Sequence, residues 1–228
     1  VCQNARCPNT WECFSKSVAT FLILGRQCTR NCAFCNITPG RPEAVDPGEP
    51  ERLAEASVRL GLRHIVITSV TRDDLPDGGA AHFAASIRAV RTRLPQCTVE
   101  VLIPDFRGDE QALLTVLDAR PEVLKHNVET APRLYREIRP QADYAQSLEL
   151  LRRVAGHKSG IPAKSGLMVG LGETDEELRQ TVRDLAEAGC TMITVGQYMR
   201  PSRLHPPVKR YLHPDEFEAL AEFGRSLG

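Results

Sequence analysis

An apolar run, Ala19-Thr20-Phe21-Leu22-Ile23-Leu24, leads through Gly25-Arg26-Gln27 into Cys28-Thr29-Arg30-Asn31-Cys32-Ala33-Phe34-Cys35. The run is short and ends in glycine, as a buried strand does. Behind it stand three thiols with three and then two residues between them. Three such thiols can close around one inorganic centre and leave a fourth coordination position open. Closed structural sites use four protein ligands, whereas a site that performs chemistry keeps one position free. At this level two readings stand side by side: a zinc knot completed by a ligand from elsewhere, and a 4Fe–4S cluster with one uncovered iron. The spacing favours the cluster.

The strand at Ala19–Leu24 is the first of a series. Further apolar runs fall at His64–Val70, Thr98–Ile103, Val123–Val128, Ser165–Val169 and Met192–Val195, short and bounded by Gly, Pro or charge. Helical patterns lie between them, at Pro50–Leu60, Ala80–Leu94, Asp109–Ala119, Asp143–Ala155 and Asp175–Ala188. Thr174 and Glu177 have the spacing of a capping box, Pro95 follows the second helix and Gly189 closes the fifth. Leu178, Val182, Leu185 and Ala186 make one apolar stripe. A last amphipathic helix is expected over Pro214–Leu227, with Phe217, Leu220, Ala221 and Leu227 available to pack. Strands alternating with helices give right-handed βαβ units and a parallel sheet. The fold class is therefore α/β, closed either as an open doubly wound sheet or as a barrel of fewer than eight strands. In both, ligands collect at the C-terminal ends of the strands, which puts Cys28–Cys35 at the mouth of the site.

The bulk numbers agree with a soluble globular domain. The chain has 228 residues, 42% of them hydrophobic and 25% charged, enough for a substantial core. Lys+Arg and Asp+Glu are equal at 29 each, so no basic field gathers nucleic acid, and 5% aromatic residues give little surface for stacking bases. No run is long enough to span a membrane and no signal peptide is visible. Six of the eight cysteines lie in the first 35 residues, as two triplets, leaving Cys97 and Cys190 isolated. Disulfides staple small folds; clustered thiols in a chain this size point to metal. Cys97 and Cys190 fall in or beside strands, where cysteine behaves as a small hydrophobe.

The Cys28/Cys32/Cys35 spacing, with aromatic Phe34 before the last thiol, resembles the signature of radical S-adenosylmethionine enzymes. The first triplet, Cys2, Cys7 and Cys13, is similar to the auxiliary-cluster motif of the lipoyl synthase family. The resemblance runs along the chain through Asp73–Gly79, Leu102–Phe106, His126–Thr130, Gly170–Thr174 and Gln197–Ser202. It implies a partial (β/α)6 TIM-like barrel at 19–212, an N-terminal auxiliary-cluster segment at 1–18 and a C-terminal helix at 213–228. It implies two 4Fe–4S clusters and S-adenosyl-L-methionine. The cluster at Cys28, Cys32 and Cys35 would generate a 5′-deoxyadenosyl radical, and the cluster at Cys2, Cys7 and Cys13 would be consumed as the sulfur source. The implied reaction places two sulfur atoms at C6 and C8 of a protein-bound octanoyl-lysine. Implied partners are an octanoylated lipoyl-carrier domain or H protein and an electron donor such as flavodoxin or ferredoxin, with no nucleic acid and no membrane, in a cytoplasm of bacterial type.

The resemblance also assigns cofactor contacts to Phe34, Gly78, Gly79, Asn127, Glu129, Arg139 and Gly170, and substrate contacts to Arg200 and Ser202. Each has an ordinary alternative. Gly78-Gly79 also suits a loop before a helix, Asn127 and Glu129 a solvated turn, and Arg139 before Pro140 a surface charge. Gly166, Gly170 and Gly172 suit close backbone passage past an adenine; the phosphate-loop alternative lacks its Lys-Ser/Thr ending. The histidines, His126 among them, are expected to be structural. One feature departs from the family pattern. A serine in an Arg-Ser-Ser-Tyr motif is expected to complete the auxiliary cluster, and in this sequence Arg225-Ser226 is followed by Leu227. Two other classes compete: a methylthio-transferring radical enzyme, and a non-catalytic iron–sulfur or zinc module. An electron carrier would have its irons fully ligated by protein.

Overall fold

A computed structural model of the chain describes residues 10–228. It opens with α1 (Thr10–Ser15) and β1 (Val18–Ile23). A two-residue parallel pair follows, β2 (Gln27–Cys28) and β3 (Thr38–Pro39). Then come α2 (Glu49–Arg59), β4 (His64–Ser69), α3 (Ala80–Arg93), β5 (Thr98–Leu102), α4 (Glu110–Asp118) and β6 (Val123–Lys125). The one-turn α5 (Tyr135–Ile138), α6 (Tyr144–Gly156), β7 (Ala163–Val169), α7 (Asp175–Glu187), β8 (Met192–Gln197) and α8 (Pro214–Ser226) complete it.

Six strands form one sheet in the order β1-β4-β5-β6-β7-β8. Sheet order thus equals chain order. A doubly wound sheet reverses its order part-way, at the switch point; this sheet does not, so of the two expected closures the partial (β/α)6 barrel is the one found. The α/β expectation holds. The parallel registers run from Val18↔His64 to Ile23↔Ser69, from His64↔Thr98 to Thr68↔Leu102, and from Lys164↔Met192 to Val169↔Gln197. Ile65 and Ile67 stand level with Val99 and Val101, all four completely buried.

The chain divides into two compact units. The first runs through Arg30 and resumes over Asn36–Leu124; the second is Asn31–Cys35 with Lys125–Gly228. The core of the first includes Ile23, Phe83, Ile87 and Leu117, with the Phe83 and Phe106 rings edge to face at 6.3 Å. The core of the second includes Ile138, Leu151, Val169, Leu185 and Tyr198.

The capping box at α7 forms as its spacing predicts. Thr174 accepts the Glu177 N–H, and Glu177 in return accepts the Thr174 N–H. Arg133 and then the Thr174 N–H hold the Glu177 carboxyl down at about 2. Thr174→Ala is expected to lower stability by about 1 kcal/mol, read as a shifted urea midpoint with unchanged slope. On α7, Leu178, Val182 and Leu185 are buried but Ala186 is only half-buried. In α8 the expected face is corrected: Leu220 is buried and Phe217 half-buried, whereas Ala221 and Leu227 are exposed. The half-buried Phe223 takes their place, its ring lying under the Arg179 and Arg183 guanidiniums. Regular strand at β6 also stops sooner than expected, at Lys125. Among the described residues no helix is long and apolar enough to cross a membrane.

Candidate active site

Cys28 belongs to the first unit, Cys32 and Cys35 to the second. In the first unit the exit of β1 is fastened before the cysteines begin. Leu24 (φ 67°) and Gly25 (φ 102°) turn the chain. Leu24 donates its N–H to Glu49 Oε2 (2.9 Å), and its carbonyl accepts from Arg72 Nη1 (3.1 Å). Glu49 Oε2 is also bonded to His82 Nε2 at 2.8 Å. Cys28 then lies with its carbonyl accepting the Gly40 N–H at 2.9 Å. Its sulfur accepts the N–H of Thr71 at 3.3 Å and of Arg30 at 3.4 Å. N–H groups aimed at a cysteine sulfur are among the contacts that tune the potential of a cluster such a sulfur holds.

Arg30, between the first two cysteines, carries a function that sequence reasoning missed. Its guanidinium is 7% exposed and fully engaged. Nε and Nη2 donate to Asp73 at 2.7 and 2.9 Å; Nη1 and Nη2 donate to Asp105 at 2.8 and 2.7 Å. Burial alone would lower the Arg30 pKa; Asp105 and Asp73 outweigh it and raise it, so the charge is permanent. Asp73 follows β4 and Asp105 follows β5, so one side chain ties the cysteine segment to two strand exits. A cavity of about 550 Å³ opens beside them, lined by Asp73, Asp74, Gly78, Phe106 and Arg107 among others.

Gly78 (φ 59°) and Gly79 (φ 92°) are glycines for a reason visible inside this unit. A Cβ on Gly78 would come within 2.9 Å of the Phe106 ring, and one on Gly79 would strike Leu24. Their close approach to Phe106 and Leu24 is structural, and a cofactor contact there would be additional to it.

In the second unit, Ala33 N–H donates to the Ile138 carbonyl (2.9 Å), Asn31 N–H to Gln141 (3.2 Å), and Cys35 N–H to the Cys32 carbonyl (3.0 Å). Phe34 packs against the buried cluster Leu134, Ile138, Leu171 and Tyr198. The turn of cysteines is thereby pinned on the α5 side. Asn127 and Glu129 meet each other, Asn127 Nδ2 donating to Glu129 Oε1 at 3.0 Å. Glu129 has φ 66° and bridges β7 at Leu167. Arg139 is not a surface charge. It is 9% exposed, and Nη1 donates to the carbonyls of Asn127 and Val128 and to the Tyr135 hydroxyl. Burial works against its charge, but Tyr135, Glu129 and Cys32 more than offset it.

Two buried polar atoms here have no hydrogen-bond partner among the described residues, Asn127 Oδ1 and Arg139 Nε. Buried polar groups are normally satisfied, so an acceptor and a donor left over at the ends of β6 and α5 fit a polar ligand. Gly166 makes room for the first: a Cβ there would sit 2.9 Å from Asn127 Oδ1 and 2.7 Å from Thr194 Oγ1. Gly170 (φ 95°) gives its N–H to Glu173 and passes against the Arg210 carbonyl and Gln197.

Arg200 and Ser202 follow β8 and are engaged with their own loop. Arg200 bonds the carbonyls of Arg203 and His205; Ser202 bonds His205 and the Leu204 N–H. His126 is buried against Ser147, as a structural histidine is. Cys97 is buried and burial raises its thiol pKa; burial pushes Cys190 up to about 12. Neither is a ready thiolate. Of the first triplet, Cys13 is half-buried on α1, while Cys2 and Cys7 lie outside the described residues. Among the described residues no three His, Cys, Asp or Glu side chains are grouped to hold a metal ion.

Residues 22–185 match the family model of the radical SAM superfamily. Over all 228 residues the chain is 67% identical to the lipoyl synthase of Oleidesulfovibrio alaskensis, covering 78% of that protein. The chain belongs to the lipoyl synthase family. The lipoyl synthase of Methylococcus capsulatus is 59% identical, and this chain covers 71% of it. Among solved structures, methylornithine synthase shares the fold with a TM-score of 0.67 at 16% identity, over 91% of this chain and 62% of that one. Membership of a radical SAM family brings with it S-adenosylmethionine and one 4Fe–4S cluster. The N–H groups directed at Cys28 and the leftover polar atoms of Asn127 and Arg139 suit those two groups.

Proposed function

We propose that this lipoyl synthase family chain inserts two sulfur atoms, at C6 and C8 of a protein-bound octanoyl-lysine, using Cys28, Cys32 and Cys35 as the ligands of its S-adenosylmethionine-binding cluster. When bound, a reduced 4Fe–4S cluster there supplies the reductive cleavage of S-adenosylmethionine that makes an unactivated C–H bond reactive. The observation that carries the reading is Cys28 itself, whose sulfur receives two backbone N–H groups. The chain's own residues do the positioning. Arg30 holds the segment to the exits of β4 and β5, and Phe34 wedges it into the Leu134–Tyr198 cluster. Arg139 offers a permanent buried positive charge with a spare N–H, suited to a carboxylate. Asn127 and Glu129 offer an amide and a carboxylate, suited to ribose hydroxyls or an ammonium. Phe34, Gly78, Gly79 and Gly170 complete the cofactor contacts of this reading, and Arg200 and Ser202 its substrate contacts.

The same reading assigns Cys2, Cys7 and Cys13 to a second 4Fe–4S cluster that serves as sulfur donor. Its carrier substrate is an octanoylated lipoyl domain or H protein, and its electrons come from a flavodoxin or ferredoxin in the cytoplasm. Cys32→Ala in the reconstituted chain tests the assignment of the two triplets. Deoxyadenosine formation is expected to fall below detection while about half of the iron remains bound, since only one of two clusters loses a ligand. Undiminished S-adenosylmethionine cleavage in that variant would refute the assignment.

A further inference from the structure

The chain between β8 and α8, residues 198–213, is long for a connection without helix or strand, and such loops are usually functional. It is also unusually well tied. Tyr198 donates its hydroxyl to the Pro206 carbonyl at 3.0 Å. Arg200 Nε donates to the His205 carbonyl at 2.7 Å, and Ser202 Oγ lies 2.9 Å from His205 Nδ1. Three alternate residues leaving β8 therefore clasp the returning chain over 203–206. Gln197 closes the base, donating to the Val169 and Arg210 carbonyls and accepting the Leu212 N–H. Leu204, at the tip, is 96% exposed. The clasp does not serve to bury an apolar tip.

What the loop does hold is His205, whose Nε2 lies 3.1 Å from the Cys35 carbonyl oxygen. A carbonyl only accepts, so Nε2 carries the proton. In the tautomer that carries its proton on Nε2, Nδ1 is an acceptor, and the Ser202 hydroxyl donates to it while accepting the Leu204 N–H at 3.2 Å. Every donor meets an acceptor along Leu204 N–H, Ser202 Oγ–H, His205 and the Cys35 carbonyl. We propose that His205, oriented by Ser202, is a positioning residue that fixes the Cys35 peptide and thereby the direction of the Cys35 thiol. The inference rests on the reading of Cys35 as a cluster ligand and goes beyond it. It gives Ser202 a task that needs no substrate contact, and it makes the loop after β8 part of the cluster's support.

The test compares His205→Leu, His205→Gln and Ser202→Ala with the unaltered chain, each first checked by thermal melting. In the iron-free full chain, iodoacetamide alkylation of Cys35 is read by mass spectrometry against Cys28 as internal reference. His205→Leu is expected to raise the Cys35:Cys28 rate ratio above that of the unaltered chain. His205→Gln, whose amide can still donate to the carbonyl, stays near the unaltered ratio, and Ser202→Ala falls between. In the reconstituted, reduced chain, the part of the electron paramagnetic resonance signal that changes on adding S-adenosylmethionine shrinks in His205→Leu and is kept in His205→Gln. Unchanged ratios in His205→Leu, or a Gln variant as loose as Leu, would overturn the inference. A missing S-adenosylmethionine response in the unaltered chain would instead count against the cluster reading, and the alkylation ratio would still judge His205.

Discussion

Arg30→Met is expected to destabilise the chain by about 3–5 kcal/mol, the usual consequence of removing one partner from a buried charged network. The cause is what stays behind. Asp105 is 1% exposed, and it loses both of its bonds from Arg30, the charged partner that balances it, while the Arg107 N–H at 3.0 Å stays. Asp73 loses two bonds as well. Methionine fills the volume and packs well but supplies no donor. Arg30→Lys keeps the charge yet cannot bridge two carboxylates with a planar fork, so it is expected to fall between. Urea denaturation of the three proteins measures the series. A stability order in which lysine equals arginine would mean that charge alone matters, not the two-sided geometry. Because Arg30 lies between Cys28 and Cys32, the lysine variant is also expected to bind iron less completely at unchanged fold content.

Gly170→Ala has the second largest expected effect. Its backbone is left-handed, at φ 95°, which costs a side chain about 1–2 kcal/mol before any contact is counted. A Cβ there would run into the Arg210 carbonyl and the Gln197 amide, the same groups that close the base of the loop after β8. A backbone oxygen cannot rotate away, so overpacking adds about 1–3 kcal/mol more. Gly172→Ala separates the two contributions. Its φ is 116°, but a Cβ meets only the Lys209 side chain, at an ordinary 3.6 Å. The Gly170 variant should therefore melt well below the Gly172 variant. Equal melting temperatures would show that the loop yields freely and that its ties are weak.

Much of this was legible in the sequence, because the features that decide the fold are local. Short apolar runs between amphipathic stretches gave six strands and their helices close to their observed ends. The Thr174/Glu177 spacing gave a capping box that forms. The cysteine spacing favoured an open cluster over a zinc knot, and the family resemblance gave the closure that periodicity left open. What was not legible depends on residues far apart in the chain. Arg30 meets Asp73 and Asp105 across 43 and 75 positions, and His205 meets Cys35 across 170. No spacing rule reaches so far; those pairs exist because strand exits are brought together. Arg139 read equally well as a ligand or a surface charge until its burial was known, since burial belongs to the assembled fold. The α8 face was misjudged for a related reason: the periodic pattern named Phe217, Leu220, Ala221 and Leu227 and passed over Phe223, whose ring Arg179 and Arg183 of α7 cover.

The central claim is that this chain makes a reactive species from S-adenosylmethionine at Cys28, Cys32 and Cys35 and directs it at an octanoyl chain. The most direct measurement is anaerobic turnover of the iron-loaded, reduced chain with an octanoyl-lysine peptide, following deoxyadenosine and peptide mass together. The expected result is deoxyadenosine whose formation depends on the peptide, with sulfur added to the octanoyl chain. Reduced, iron-loaded chain that yields no deoxyadenosine with or without peptide would contradict it.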